Sequence, residues 1–309
     1  MLDVRALARI QRGQAGVVRR SQVLEAGGGD DDIDRMLRRR ELVPLHPGVY
    51  VDHNGPLTLR QRAWAAVLAR WPAALARESA LGEPSTVVHL AVDRQRNIDP
   101  LPGTQIHRTT DFTGRVEWHA RPPQVRTAEA VIDTVIARLA DDDVAAAFAV
   151  LTRACFRRTS VERVARALEQ RSRVPHRRLI EALVDDLRSS ACSVLERGYL
   201  HRVERAHGLP RGTRQRPSTA TGRRTHQDVR YESFGTIVEL DGRSHTETAE
   251  ARDADARRDL AELAVAGAVT GRVTYGLVFG EPCATARRVA AVLQRNGWTG
   301  QPTTCPRCR

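Results

Sequence analysis

Lysine is absent from the sequence, so all 49 basic residues are arginine. Genome-wide GC bias is enough to explain that preference, and the choice of arginine by itself indicates no function. Cysteine is sparse and odd in number, with five residues at Cys155, Cys192, Cys283, Cys305 and Cys308. That count and scatter exclude a disulfide scaffold. Long apolar runs are also lacking. Stretches such as 144–151 fall far short of the roughly 20 residues needed to cross a bilayer. The first fourteen residues contain an acid and no extended apolar core, which makes a poor signal peptide. Together these absences predict a soluble, cytoplasmic protein with no membrane partner. Neither an internal repeat nor a low-complexity tract is present.

What remains is a large positive balance. The formal net charge is +12. Arginine is always protonated and pairs with phosphate through two parallel hydrogen bonds. A polyanion, most often nucleic acid, is therefore the expected partner, the alternative being a generic basic surface. With 309 residues, 41% of them hydrophobic, the chain can bury at least two cores.

Residues 3–53 read as helix, helix, helix, hairpin. Val4, Leu7 and Ile10 mark one helical face. A short second helix over 21–26 is closed by Gly27-Gly28-Gly29. Asp30-Asp31-Asp32 then offers an N-cap and negative charge at a helix start. Ile33, Met36 and Leu37 form the inward stripe of that third helix, with Arg35, Arg38, Arg39 and Arg40 as its basic surface. Strands over 42–45 and 49–51 follow, joined by His46-Pro47-Gly48. This order is that of a winged helix-turn-helix whose third helix reads a DNA groove. The alternative is a protein-contact module. Residues 58–81 read as a helix capped by Thr58, and 87–92 and 105–107 as strands. Helices are then expected within 127–187. The domain reading is 1–56 winged helix, 57–188 connecting α/β region, and 189–309 a separate unit.

That last unit reads α-β-β-β-α-β-α: a helix over 190–207, strands over 211–216, 224–231 and 236–241, a helix over 247–266, a strand over 272–279, and a closing helix over 284–296. Glu239 and Asp241 are two apart on one strand and so share a face. Asp228 joins them if its strand pairs alongside, and Glu196 on the preceding helix can complete the group. Carboxylates this close repel one another unless a cation compensates, and oxygen-only ligands suit Mg²⁺ or Mn²⁺. The alternative is a pair of acids at a strand end, solvated or paired with Arg243 and Arg257. Arg211, Arg214, Arg216, Arg223, Arg224 and Arg230 crowd into the same stretch as Asp228, and read as a backbone-holding basic hairpin or a mobile basic loop.

Asp228, Glu239-Leu240-Asp241-Gly242 and His245, preceded by Ser193-Val194-Leu195-Glu196 and followed by Arg257-Arg258-Asp259, resemble the PD-(D/E)xK restriction-endonuclease-like superfamily. They are most similar to its very-short-patch-repair (Vsr-like) endonuclease domains. Arg39-Arg40-Glu41-Leu42-Val43 and His46-Pro47-Gly48-Val49-Tyr50 resemble the winged-helix domain of AbiEi-type antitoxins. The resemblance implies Asp228 and Glu239 as metal ligands, Glu196 as a ligand or metal-water partner, and His245 as general base or leaving-group acid. Arg257 and Arg258 would contact phosphate. Asp241 stands where the superfamily has lysine, so that role passes to His245 or Asp241, or is lost. The expected activity is metal-dependent phosphodiester hydrolysis in DNA. Two alternatives are a non-cutting regulator of the antitoxin type and a docking module for a protein partner in a defence or toxin–antitoxin system.

Cys305-Pro306-Arg307-Cys308 has the spacing of half a zinc site. Cys283 can be a third ligand. The closing helix carries the chain about 20 Å away from it, and an extended tail can return about 30 Å. His226 or His245 can be a fourth ligand, and nothing in the sequence selects between them. Free or redox-active thiols are the alternative to zinc.

Overall fold

Side-chain alternation along three short strands organises the N-terminal segment of the computed structural model, which describes residues 1–83, 85–189, 193–222, 225–242, 249–306 and 308. The elements are α1 (Val4–Gly13), β1 (Val17–Arg19), α2 (Arg20–Glu25), α3 (Asp30–Arg38), β2 (Val43–His46) and β3 (Val49–Val51). They form an antiparallel sheet of order β1-β3-β2. On one face, Val18 and Tyr50 pack with Leu7, Val23, Ile33, Met36 and Leu42 from the three helices and the loop after α3. On the other, Val17, Val49 and Val51 pack against Trp64, Ala65 and Leu68 of α4 (Leu59–Ala69). Successive strand residues point to opposite faces, so the Val17-Val18 pair feeds both cores.

Strand β1 was not part of the expected order. Its two β-branched residues, fully buried behind Gly16 at φ +87°, favour an extended segment over a longer helix. At α3 the N-cap is Gly29, not an aspartate. Asp30, Asp31 and Asp32 occupy the first turn, and Asp32 reaches back to accept from the Gly29 amide at 3.0 Å.

The expected single helix over 58–81 is three elements. Thr58 does cap α4, in a reciprocal pairing with Gln61, but α4 stops at Ala69 ahead of Pro72, whose missing N–H and ring cannot continue a helix. There follow β4 (Ala74–Leu75) and α5 (Arg77–Leu81), then β5 (Val88–Asp93), β6 (Thr104–Thr109), α6 (Phe112–Arg115), β7 (Val116–Glu117), β8 (Gln124–Val125) and α7 (Thr127–Ala140). The strands make a mixed sheet of order β6-β5-β4-β8-β7. The chain divides into two compact units, Met1–Asp133 and Thr134–Arg309.

The second unit contains α8 (Val144–Arg157), α9 (Val161–Glu169), α10 (Arg177–Ser189), α11 (Ser193–Gly198), β9 (Thr213–Ser218), β10 (Thr225–Tyr231), β11 (Thr236–Asp241), α12 (Ala249–Ala266), β12 (Val269–Thr274) and α13 (Pro282–Arg295). Tyr199–Glu204 continues α11 as a π-helical segment. The sheet order is β12-β11-β10-β9, with β11 and β12 parallel and the remaining pairs antiparallel. The strand expected over 272–279 begins and ends earlier. Gly276–Gly280 forms a π-helical turn instead, and there Tyr275 stacks on Phe148 of α8 with centroids 4.0 Å apart. All six residues of β11 are buried or nearly so, as a central strand requires. No helix among the described residues is long and apolar enough to cross a membrane.

Trp64 is 5% exposed at the contact between α4 and the first sheet. Its replacement by alanine is expected to cost about 3–5 kcal/mol through lost burial and an unfilled cavity. The lowered denaturant midpoint of the transition that unfolds Met1–Asp133 measures this.

Candidate functional site

Three carboxylates approach one another at the junction of α11, β10 and β11. Asp228 lies on β10, and the register that pairs Val229 with Val238 places it beside Glu239 on the neighbouring strand. One Asp228 oxygen accepts from the Leu240 amide at 2.7 Å, and the other from Gln215 Nε2 at 3.2 Å. The same Gln215 nitrogen donates to Glu196 Oε1 at 2.7 Å, so one amide ties the α11 carboxylate to that of β10. Gln215 adopts φ +49° inside β9, a strained backbone for a side chain with a Cβ, and the two bonds to acids accompany that geometry.

Burial and mutual repulsion set the electrostatics. Glu239 is 9% exposed. Burial, reinforced by the Asp228 charge, raises its carboxyl to about 7, while Arg258 and Arg272 oppose the rise. Asp228 is also raised by burial, against the opposing effects of the Leu240 amide, Gln215 and Arg258. Glu196 is raised by burial and by Asp228. The surrounding cations are themselves ordered. Arg272 of β12 donates to Asp255 at 2.8 Å and Asp259 at 3.0 Å on α12, and Arg258 pairs with Asp255 at 2.8 Å. Asp241 lies one turn of the pleat beyond Glu239 and lines a cleft of about 350 Å³ with Thr274, Tyr275 and α8 residues. The oxygens of Glu196, Asp228, Glu239 and Asp241 are not drawn into one tight group. Among the described residues, only His207, Cys283, Cys305 and Cys308 offer three or more ligand atoms all within 4.8 Å of one another.

Two buried acids hold the framework. Asp186, 4% exposed, accepts from the Ser193 amide at 3.1 Å, the Ser193 hydroxyl at 2.7 Å and the Val194 amide at 2.9 Å, and so caps the helix that presents Glu196. Glu204, 2% exposed, accepts from Tyr231 Oη at 3.0 Å, Gly212 N at 3.3 Å and Arg214 at 3.0 Å. Tyr199 Oη lies 2.9 Å from Tyr231 Oη, and Arg214 sits over the Tyr199 ring.

The expected basic residues divide accordingly. Arg214 is committed to Glu204 and faces inward. Arg216 remains at the surface beside Glu232 at 2.7 Å. Arg257 is exposed, and Arg258 is half-buried next to the acids. On α3, Arg38 and Arg39 are exposed, while Arg35 is exposed and paired with Asp32 at 2.6 Å. His245, Arg223, Arg224 and Arg243 lie outside the described residues, as does Cys192.

Cys305 and Cys308 meet Cys283, with Cys283 Sγ 3.6 Å from Cys305 Sγ and the two tail sulfurs 3.8 Å apart. The fourth member is His207, whose Nε2 is 3.4 Å from Cys308 Sγ. The cluster as a whole can hold a metal ion. His226 does not take this place, and His245 lies outside the described residues. Cys155 sits apart on α8, where burial pushes its thiol up to about 11, an unreactive environment. Gln215, Asp186, Arg272 and His207 carried no local motif. A polar residue in a strand, a buried cap and a lone histidine at a helix end each gain meaning only from partners distant in sequence.

A carboxyl raised on folding favours its neutral form. Glu239 therefore contributes stability that is fully present below about pH 4.5 and is lost as pH rises through about 7. In metal-free buffer at pH 8, Glu239→Gln is expected to be more stable than the parent by up to about 3 kcal/mol, with the difference vanishing below pH 4.5. Denaturant titrations at several pH values measure this, and an unchanged difference across that window overturns it. Asp186→Ala is expected to cost about 2 kcal/mol or more, since it removes the acceptor of four donors, the Ser193 amide and hydroxyl, the Val194 amide and the Tyr275 hydroxyl. Thermal unfolding checks that cost.

No protein-family model matches this chain, and no curated protein matches it.

Proposed function

We propose that residues 189–309 form a restriction-endonuclease-like domain that hydrolyses DNA phosphodiester bonds with Mg²⁺ or Mn²⁺, behind an N-terminal winged-helix segment that binds DNA. The observation that carries this reading is the pairing of half-buried Asp228 with buried Glu239, whose charges are only partly offset by Arg258 and Arg272. Buried like charges are costly unless a cation is bound. Magnesium sites are commonly built from one or two carboxylates completed by water and substrate phosphate, so two adjacent acids are a sufficient protein contribution. The element order α11-β9-β10-β11-α12-β12-α13 supports the endonuclease-like topology. The three-stranded β1-β3-β2 sheet with α1, α2 and α3 supports the winged helix.

A bound divalent cation would activate water and neutralise charge on the scissile phosphate. The chain's own residues orient and hold. The Leu240 amide and Gln215 fix both oxygens of Asp228, and Gln215 also holds Glu196 in line with it. Arg258 acts electrostatically on both Asp228 and Glu239 and supplies the positive charge that lysine provides elsewhere in the superfamily. Exposed Arg216 and Arg257 would hold the phosphate backbone, and Arg35, Arg38 and Arg39 would contact DNA from the N-terminal segment. His245 keeps its proposed role as proton carrier. Cys283 of α13 and the tail thiols Cys305 and Cys308 belong to this reading as a structural zinc site.

A second reading is favoured by the looser spacing of the carboxylate oxygens compared with the sulfur cluster. In it the same fold binds DNA without cutting, as an antitoxin-type regulator or a partner-docking subunit.

Plasmid nicking with Mg²⁺ or Mn²⁺ separates the two. Asp228→Ala and Glu239→Ala are each expected to reduce cleavage at least about 100-fold while DNA binding persists. Cleavage undiminished in both variants removes the proposed site. Arg38→Ala is expected to weaken binding uniformly across sequences and to lower the salt slope of log K by about 1. Fluorescence anisotropy over a salt series gives that slope.

A further inference from the structure

We infer that His207, Cys283, Cys305 and Cys308 form one tetrahedral Cys₃His zinc site that fastens the C-terminal tail to the helical segment following Glu196. The distances fit the metal. Zinc–sulfur bonds of about 2.3 Å and zinc–nitrogen bonds of about 2.0–2.1 Å in a tetrahedron require sulfurs about 3.8 Å apart and sulfur–nitrogen separations of about 3.5 Å. The sulfur pairs Cys283–Cys305 and Cys305–Cys308 stand at 3.6 and 3.8 Å, and Cys308 Sγ to His207 Nε2 at 3.4 Å. The widest separation in the group is within 4.8 Å, so binding needs a closure of about 1.3 Å at most.

The surroundings prepare each ligand. His207 is 1% exposed, and its Nδ1 lies 3.1 Å from the Val203 carbonyl. That contact places the ring proton on Nδ1 and leaves the Nε2 lone pair facing the sulfurs, the outer-shell arrangement that fixes a ligating imidazole. The Cys305 amide donates to Cys308 Sγ at 3.4 Å, and the Cys308 amide to the Cys305 carbonyl at 2.9 Å, which folds the Cys-x-x-Cys turn around a common centre. The tail is held at a second point, where the Thr303 amide donates to the His207 carbonyl at 2.8 Å. Soft thiolates with one imidazole and no oxygen ligand select zinc over magnesium or calcium. Four protein ligands leave no open position, which makes the site structural.

The consequence is mechanical. His207 follows the segment containing Tyr199 and Glu204, and Cys283 opens α13, so one ion crosslinks the helix end, the start of α13 and the tail. This assignment stands whether or not the carboxylates cut DNA.

The test uses the full chain, purified without chelator. Elemental analysis after gel filtration is expected to find about one zinc per chain. Cobalt substitution is expected to give an intense thiolate-to-cobalt charge-transfer band with tetrahedral d–d absorption. Cys308→Ser and His207→Ala are expected to weaken zinc retention against a competing chelator at least tenfold. If either fails to fold, His207→Cys, with four ligands intact, is expected to keep full zinc and to strengthen the charge-transfer band. Asp228→Ala is expected to keep its zinc, which separates this test from the cleavage assay. A parent chain free of zinc, with all its thiols reacting at once, overturns the proposal. So does a mass deficit of one disulfide, or a cobalt spectrum without sulfur charge transfer.

Discussion

Asp228 and Glu239 lie side by side on paired strands, one half-buried and the other buried, beside arginines that are already shared among other acids. That confinement of negative charge is the constraint around which the second unit is organised. Leu240 and Gln215 satisfy the oxygens of Asp228, and Arg258 and Arg272 are themselves braced by Asp255 and Asp259. Each donor lowers the cost of the acids, but none neutralises Glu239, which remains raised toward neutrality. Under the proposed reading, a cation that entered there would relieve both repulsion and desolvation.

The same logic of satisfied burial extends outward. Asp186 closes the first turn of α11, and Glu204 gathers a tyrosine, an arginine and a backbone amide. Burial keeps the Tyr231 phenol protonated, so it serves as a donor to that carboxylate. These networks hold side chains in fixed positions, which apolar packing does less specifically. The arginine-rich character of the chain is partly consumed by this work. Arg214, Arg230 and Arg272 pair with internal acids, while Arg38, Arg39, Arg216 and Arg257 stay at the surface.

Much of the secondary structure was legible because it follows from periodicity and caps. Thr58 marked the start of α4, and the Ile237-Val238 run marked a central strand. The misreadings differ in cause. Val17-Val18 was too short to register as a strand, and becomes one only because β3 lies beside it. The end of α4 was signalled by Pro72 and passed over, whereas the turn at Gly276–Gly280 goes with the stacking of Tyr275 on Phe148, which local propensity does not contain.

What the sequence by itself determined was the material: a lysine-free, strongly basic chain, acids spaced by two on an apolar strand, and a Cys-x-x-Cys tail. Alternation and charge are local properties and survive without a fold. Tertiary structure alone decided which groups meet. It brought His207, 101 residues from Cys308, to the sulfurs, a place His226 does not reach, and it gave Gln215 the task of joining Glu196 to Asp228. Those choices depend on strand register and on the path of the returning tail, and neither is encoded in the spacing of the residues that finally touch.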